Sequence, residues 1–361
     1  MSKAKMESAN RLFLGIDLGT SRSVVCASNG CQAWVDSYVG YPKDFVARKV
    51  LGAPVVFGKN ALDNRLSLEL YRPLEHGVIR EGSPRNEHAI HDLVQHLISL
   101  AKPEQGQPLY IAVGVPAECF KNNKIAIKRC VGDAATSIMV VSEPFAVAYG
   151  KDLLKDALVI DIGGGTIDFC IMHGALPEED DQRTLLSAGD YLDEKLFDAI
   201  KERYPKSSIT LNMSRQFKEQ FSLVGDAKGT VQVEMPLDGK ATQHDITNEM
   251  RVACESILSP IIETMAEMIS RCDPEHQDAV RRNVVLAGGG SQIRGLAEYL
   301  QREMADYGPC HVKRLDEVLY AGAEGCLALA RDMPTEYWED TATSLEEVRF
   351  DLTEAVSVPS Q

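Results

Sequence analysis

Asp161-Ile162-Gly163-Gly164-Gly165-Thr166-Ile167-Asp168 joins two apolar runs, Ala157–Ile162 and Ile167–Met172, and reads as strand, tight turn, strand. A shorter counterpart stands near the N-terminus, where Asp17-Leu18-Gly19-Thr20-Ser21 links Leu12–Asp17 to Ser23–Ala27. In each, an aspartate at a strand end precedes glycine and hydroxyl residues. Glycines let the backbone come close to a ligand, and successive amides form a concavity that takes an anion. Thr20, Ser21 and Thr166 add hydroxyl donors, with Gly19 in one turn and Gly163, Gly164 and Gly165 in the other. Two such turns in different halves of the chain suit a polyphosphate. Asp17 and Asp161 then lie beside the phosphates and need a cation between. Mg2+ fits, because it keeps several waters and takes few carboxylates when it also binds phosphate. One turn alone reads equally well as an ordinary β-turn. Two, with a third glycine run at Gly288-Gly289-Gly290-Ser291, favour the phosphate reading. Neither turn is a P-loop or a dinucleotide G-x-G-x-x-G motif.

Working outward, the flanks alternate strands and helices, the mark of an α/β layer structure. Asn29-Gly30 predicts a hairpin into a strand at Cys31–Val35. A strand is expected at Pro54–Phe57 and a helix at Asn60–Leu70. Further helices are expected at Asn86–Ala101, Glu118–Ala134, Pro144–Leu154, Gly295–Met304 and Ala321–Arg331. Strands are expected at Leu109–Val115, Ile138–Val141 and Asn283–Ala287. Asp245–Ile269 is a long helical pattern that Pro260 kinks or splits. Residues 190–245 read as polar, mixed and inserted.

The 361 residues suggest two domains, and 44% hydrophobic residues exclude disorder of the whole chain. A net charge of −15 argues against nucleic acid as partner. No apolar run reaches membrane-helix length and the N-terminus has no signal core, so the expectation is a cytoplasmic protein without direct membrane insertion. The 9 cysteines are scattered without a C-x-x-C pair and read as reduced thiols.

The ordered segments resemble the actin, Hsp70 and sugar-kinase ATPase superfamily. They are the turn Asp17–Ser21, Val141-Ser142-Glu143-Pro144-Phe145-Ala146-Val147-Ala148-Tyr149-Gly150, the turn Asp161–Asp168, Val284–Leu296 and the helix at Ala321–Ala330. Pro73-Leu74-Glu75-His76-Gly77-Val78-Ile79 is similar to a stretch of actins and bacterial actins. Within the superfamily, Arg11–Ser21, Val39–Asp44, Lys218–Ser222 and Ala287–Leu296 resemble the bacterial actin-like filament proteins, in particular the magnetosome-associated ones of magnetotactic bacteria. The resemblance implies an actin-like two-domain α/β ATPase fold, made of duplicated ribonuclease H-like cores with a small insertion in each. The implied division is 11–36, 73–144 and 323–340 for core I, with 37–72 inserted. Core II is 145–190 with 246–322, with 191–245 inserted, and 341–361 form an acidic tail.

By position, the resemblance implies ATP or ADP with Mg2+, the metal being organised through water by Asp17 and Asp161. It implies a catalytic trio of Glu143, Asp161 and Asp17, with Glu143 orienting the attacking water. Gly289, Gly290 and Ser291 would face adenosine, and Lys218 and Glu219 would contact the nucleoside. It further implies self-association into a filament alongside magnetosome membranes, with adaptor proteins as partners. An Hsp70-type chaperone and a small-molecule kinase are the alternatives within the superfamily. Read without the resemblance, Glu143 is a helix-terminal charge beside Pro144. His88, His91 and His96 spread too widely on one helix for a metal site and read as an exposed face. Ser344-Leu345-Glu346-Glu347-Val348 is a capping-box pattern, set in a tail that reads as frayed.

Overall fold

The computed structural model describes residues 10–76, 78–79, 84–117, 120–334 and 338–340. The chain divides into two compact units, one of residues up to Asp152 with those from Leu319 onward, the other Leu153–Val318.

The first unit opens with β1 (Leu12–Leu18), β2 (Arg22–Ala27) and β3 (Gln32–Asp36). Leu12, Leu14, Ile16 and Leu18 of β1 are all buried, and Gly30 at φ 89° closes the Asn-Gly hairpin between β2 and β3. A separate small sheet follows from β4 (Val39–Pro42), α1 (Phe45–Leu51), β5 (Val56–Phe57), α2 (Gly58–Asp63) and β6 (Leu68–Tyr71), in the order β5-β4-β6. The helix expected to run to Leu70 ends at Asp63. Asn64 reaches back to the Asn60 carbonyl at 2.9 Å, and Leu68 turns under Val56 and Ala61 as a strand residue. The short pair β7 (Leu74–Glu75) and β8 (Val78–Ile79) precedes α3 (Pro84–Leu100), β9 (Leu109–Val115), α4 (Phe120–Val131), β10 (Ser137–Ser142) and α5 (Glu143–Gly150). Ile90, Leu93, Val94, Leu97 and Ile98 of α3 are buried at the spacing the sequence predicts.

The second unit has β11 (Lys155–Ile162), β12 (Ile167–His173), β13 (Gln182–Leu185), α6 (Gly189–Arg203), α7 (Leu211–Phe221) and the hairpin β14 (Gln232–Leu237) to β15 (Lys240–Asp245). Then come α8 (Thr247–Glu255), α9 (Leu258–Arg271), α10 (Pro274–Arg281), β16 (Val284–Ala287), a 3-10 turn at Gly289–Gln292, α11 (Leu296–Met304) and β17 (Val312–Arg314). The pattern containing Pro260 is split into α8 and α9. Pro260 falls in the first turn of α9, where a missing amide leaves no helical bond unmade. The stretch expected to be mixed carries two helices, and Leu192, Leu196 and Ile200 of α6 join one continuous core with Leu158, Ile160 and Leu286. The first unit then resumes with α12 (Ala321–Asp332) and β18 (Glu339–Asp340).

The main sheet of the first unit has the order β18-β10-β9-β1-β2-β3, and that of the second β13-β12-β11-β16-β17. In both, an antiparallel hairpin is followed in space by parallel strands: β1 with β9 and β10, β11 with β16 and β17. This is the duplicated α/β architecture expected. The division falls at residues 152/153 and 318/319 instead of 144/145 and 322/323. Helix α5 packs on α12 so closely that a β-carbon on Gly150 would stand 2.8 Å from the Gly325 Cα, so α5 stays with the first sheet. β18 was not foreseen. It pairs with the edge of β10, and Trp338 beside it packs edge-on to Tyr110 at 5.3 Å.

The tail pattern at 344–348 and the start of the helix expected from Glu118 lie outside the described residues. The eight described cysteines are free thiols. His96 stacks on Phe57 at 4.1 Å, while His88 and His91 lie 3.5 and 3.6 Å from Asp92. Among the described residues no group of three or more His, Cys, Asp or Glu gathers to hold a metal ion, and no helix is long and apolar enough to cross a membrane.

Candidate functional site

Each unit carries its own set of the expected residues, at the carboxyl ends of its parallel strands. This is the usual location of ligands on open α/β sheets.

In the first unit Asp17 stands near the end of β1, opposite Gly114 of β9, which in turn pairs with Val141 of β10. Two residues beyond Val141, Glu143 begins α5. A β-carbon on Gly114 would come within 3.4 Å of Glu143 Cγ and 3.2 Å of Cys326 Sγ, so glycine there makes room for the glutamate. Asp17 Oδ2 lies 2.5 Å from where a β-carbon of Gly322 would stand, over the first turn of α12. A carboxylate suits a helix N-terminus. Burial nevertheless pushes Asp17 up to about 7. Burial, and then the charges of Asp17 and Glu143, push the Cys326 thiol up. Burial also raises Cys26, to about 12. These thiols stay protonated, so the ionisable oxygen donors here are the two carboxylates.

The turn Gly19–Ser21 shows a consistent pattern in its carbonyls. Ser37 Oγ donates to the Gly19 carbonyl at 2.6 Å, Arg72 Nε to that of Thr20 at 3.0 Å, and the Ser37 amide to that of Ser21 at 3.0 Å. The carbonyls of the turn are thus tied to the protein and held in place by it.

The second unit repeats the device. The Gly163 amide donates to the Thr166 carbonyl at 2.9 Å and closes the turn. The Gly189 amide then holds the Gly163 carbonyl at 3.2 Å, and the Asp190 amide holds that of Gly164 at 2.7 Å. Asp161 pairs with Ala287 of β16, and its Oδ1 lies 2.3 Å from where a β-carbon of Gly288 would stand. Gly288 also has φ 72°, so the site accepts only glycine there.

The adenosine-type loop is less uniform than its sequence. A β-carbon on Gly290 would stand 2.2 Å from Ile162 Cγ2, so this glycine serves packing against β11, while Gly289 faces open space. Ser291 is buried and its hydroxyl donates to the Gly288 carbonyl at 2.7 Å, closing the loop from within.

Lys218 lies on α7 with its ammonium 2.7 Å from Asp193 Oδ1 and 2.8 Å from the Gly189 carbonyl. It thus braces the same Gly189 that holds the second turn. Burial raises Asp193 to about 6, against the lowering pull of Lys218. Glu219 accepts from Arg215 Nε at 3.2 Å along the same helix. Ser37, Arg72, Gly189, Asp193 and Gly322 were not foreseen. They support the turns through contacts distant in sequence. Only Gly322 left a trace, the small-residue run Ala321-Gly322-Ala323.

These residues fit a Mg2+ nucleotide in donor chemistry. Each unit supplies one strand-end carboxylate and one turn with its carbonyls tied back, and neither gathers enough ligands to hold a metal without phosphate.

The fold and these turns define an actin-like ATPase class, and the chain belongs to the MreB/Mbl family, whose profile matches residues 11–335. It is 39% identical to the actin-like protein MamK of Paramagnetospirillum magneticum over 338 residues, covering 94% of this chain and 97% of that protein. Among solved structures it resembles a MamK double helical filament, with a TM-score of 0.88 at 39% identity over 90% of this chain and 100% of that one. It also resembles a non-polymerising MamK mutant bound to AMPPNP, with a TM-score of 0.70 at 39% identity over 90% of this chain and 99% of that one.

Proposed function

We propose that this chain is a polymerising bacterial actin that binds ATP with Mg2+, hydrolyses it and thereby controls the stability of its own filament. The observation that carries the reading is the pair of turns whose carbonyls are tied back by Ser37 and Arg72 in one unit and by Gly189 and Asp190 in the other. The similarity to a MamK filament subunit and to a MamK structure with AMPPNP supports it. The sequence resemblance to magnetosome-associated actins extends it to a cytoplasmic cable that organises magnetosome vesicles through adaptor proteins.

In this reading the turns Gly19–Ser21 and Gly163–Thr166 border the phosphates, with the Gly163 amide kept for closing its own turn, and Asp17 and Asp161 hold Mg2+ through water. The metal supplies charge neutralisation for the phosphates when bound. Glu143 accepts a hydrogen bond from the attacking water. Proteins catalyse phosphoryl transfer to water largely by such positioning. Gly289 lies beside the nucleoside, and Lys218 with Glu219 on α7 borders it. The test is to mix purified protein with ATP, ADP or AMPPNP, pellet at high speed and image the pellet. Filaments with ATP and AMPPNP support the reading, and monomer under every condition overturns it.

A further inference from the structure

The first turn is held from outside by a residue of the small sheet. Arg72 directly follows β6, and its guanidinium makes two bonds to the turn. Nε donates to the Thr20 carbonyl at 3.0 Å, and Nη2 donates to Ser21 Oγ at 3.2 Å. The ring of Tyr38, 5.9 Å from the guanidinium carbon, lies on the range of a cation–π contact and helps fix its plane. The consequence for Ser21 is directional. A hydroxyl oxygen that accepts from a cation turns its own proton away from that cation. The Ser21 O–H is therefore aimed off the guanidinium and polarised as a donor, since charge-assisted bonds are stronger than neutral ones and polarise their neighbours. Lysine at this position would supply the charge but not the fork.

We propose that Arg72 is a positioning residue for polyphosphate binding: it keeps the Thr20 carbonyl turned outward and presents the Ser21 hydroxyl proton to the phosphate, so that the small sheet and the first turn move as one. The proposal rests on the reading of this turn as a phosphate site. It adds a role to a residue outside the glycine motifs, and it links the β5-β4-β6 sheet to the first turn through the hydrogen bonds of Arg72.

The experiment measures ATP affinity by displacement of a fluorescent nucleotide. The proteins are wild type, Arg72→Ala, Arg72→Lys, Ser21→Ala and the double variant Ser21→Ala with Arg72→Ala, with melting temperature as control. Arg72→Ala is expected to weaken ATP binding roughly tenfold, the scale of losing one charge-assisted hydrogen bond. Because the residue acts on binding and not on the attacking water, KM rises while kcat holds. In the Ser21→Ala background the same substitution costs less, because part of its effect is already gone. Arg72→Lys recovers only part of the affinity. If Arg72→Ala fails to fold, Arg72→Gln replaces it, keeping one donor for the Thr20 carbonyl and losing the charge on Ser21. Equal losses in the two backgrounds, or full recovery by lysine, overturn the proposal. Wild-type protein that binds ATP while Arg72→Ala binds it equally well overturns this inference alone. Wild-type protein that binds no ATP overturns the nucleotide reading and this with it.

Discussion

Asp161 and Asp193 are two carboxylates of one unit with opposite tasks. Asp161 sits at a strand end beside Gly288, where the proposed metal and phosphates need it. Asp161→Ala should lower phosphate release by about 10²–10³-fold, the cost of deleting one preorganised electrostatic element. Release close to wild type would remove Asp161 from the site. Asp193 is buried against Lys218 and touches no expected ligand. Removing one partner of a buried pair strands the other, so Asp193→Ala should cost about 3 kcal/mol, read as a lower melting temperature. Its pH signature has a definite sign. Burial raises Asp193 from 3.8 to about 6 in the folded protein. Between those values the folded state binds more protons than the unfolded chain, so this residue's contribution to stability falls as pH rises. Asp193→Asn lacks that slope. The melting temperature of wild type minus that of Asp193→Asn should therefore shrink as pH goes from 4 to 6. A difference that is flat or grows would show that Lys218, and not burial, dominates.

At the scale of elements, the loop Gly288–Ser291 separates what four residues do. Gly290 is pressed on Ile162, so Gly290→Val overpacks the end of β11 and should destabilise by about 1–3 kcal/mol. Gly289 faces open space and does not have a left-handed backbone, so Gly289→Val should leave the melting temperature nearly unchanged. If the loop borders the nucleoside, that variant weakens ATP binding by about tenfold, a cost near 1.4 kcal/mol. Unchanged affinity in the folded variant would place the nucleoside elsewhere. The glycine run was legible in the sequence, but the division of labour within it was not, because it depends on Ile162 of a different strand. The same holds for the turns. Asp17, Gly19 and Gly163–Thr166 announce themselves by local spacing. Arg72 acts through the carbonyl of Thr20, 52 positions away, and Gly189 through that of Gly163, 26 positions away, which no local pattern encodes. Strand alternation and helical periodicity found most elements. The errors fell where side chains set the boundary, as at Asn64, and at β18, whose 2 residues are too short to carry a period.

For the whole molecule, the two sheets share one order of hairpin and parallel strands, yet they are equipped differently. Both hairpins carry an aspartate and a turn with its carbonyls tied back, but Glu143 stands in the first unit only, on the helix that follows β10. In the proposed site phosphate binding is thus a duplicated task, while the attacking water has a single candidate partner. This asymmetry predicts that binding and turnover come apart on mutation. Glu143→Ala leaves the turns and both aspartates in place. Losing a helix-terminal charge costs at most about 1 kcal/mol, so the variant should fold. It should bind ATP normally and lower kcat by about 10²-fold or more, since its interaction with water matters mainly in the transition state. If assembly needs bound ATP and disassembly needs hydrolysis, the variant still forms filaments, and they persist longer than those of the wild type. Phosphate release and light scattering followed on the same sample read both quantities. Normal hydrolysis by the variant would reduce Glu143 to a charge that complements its helix. ATP binding without polymerisation would mean that this carboxylate also serves assembly, and that the filament responds to the state of the water site as well as to the phosphates.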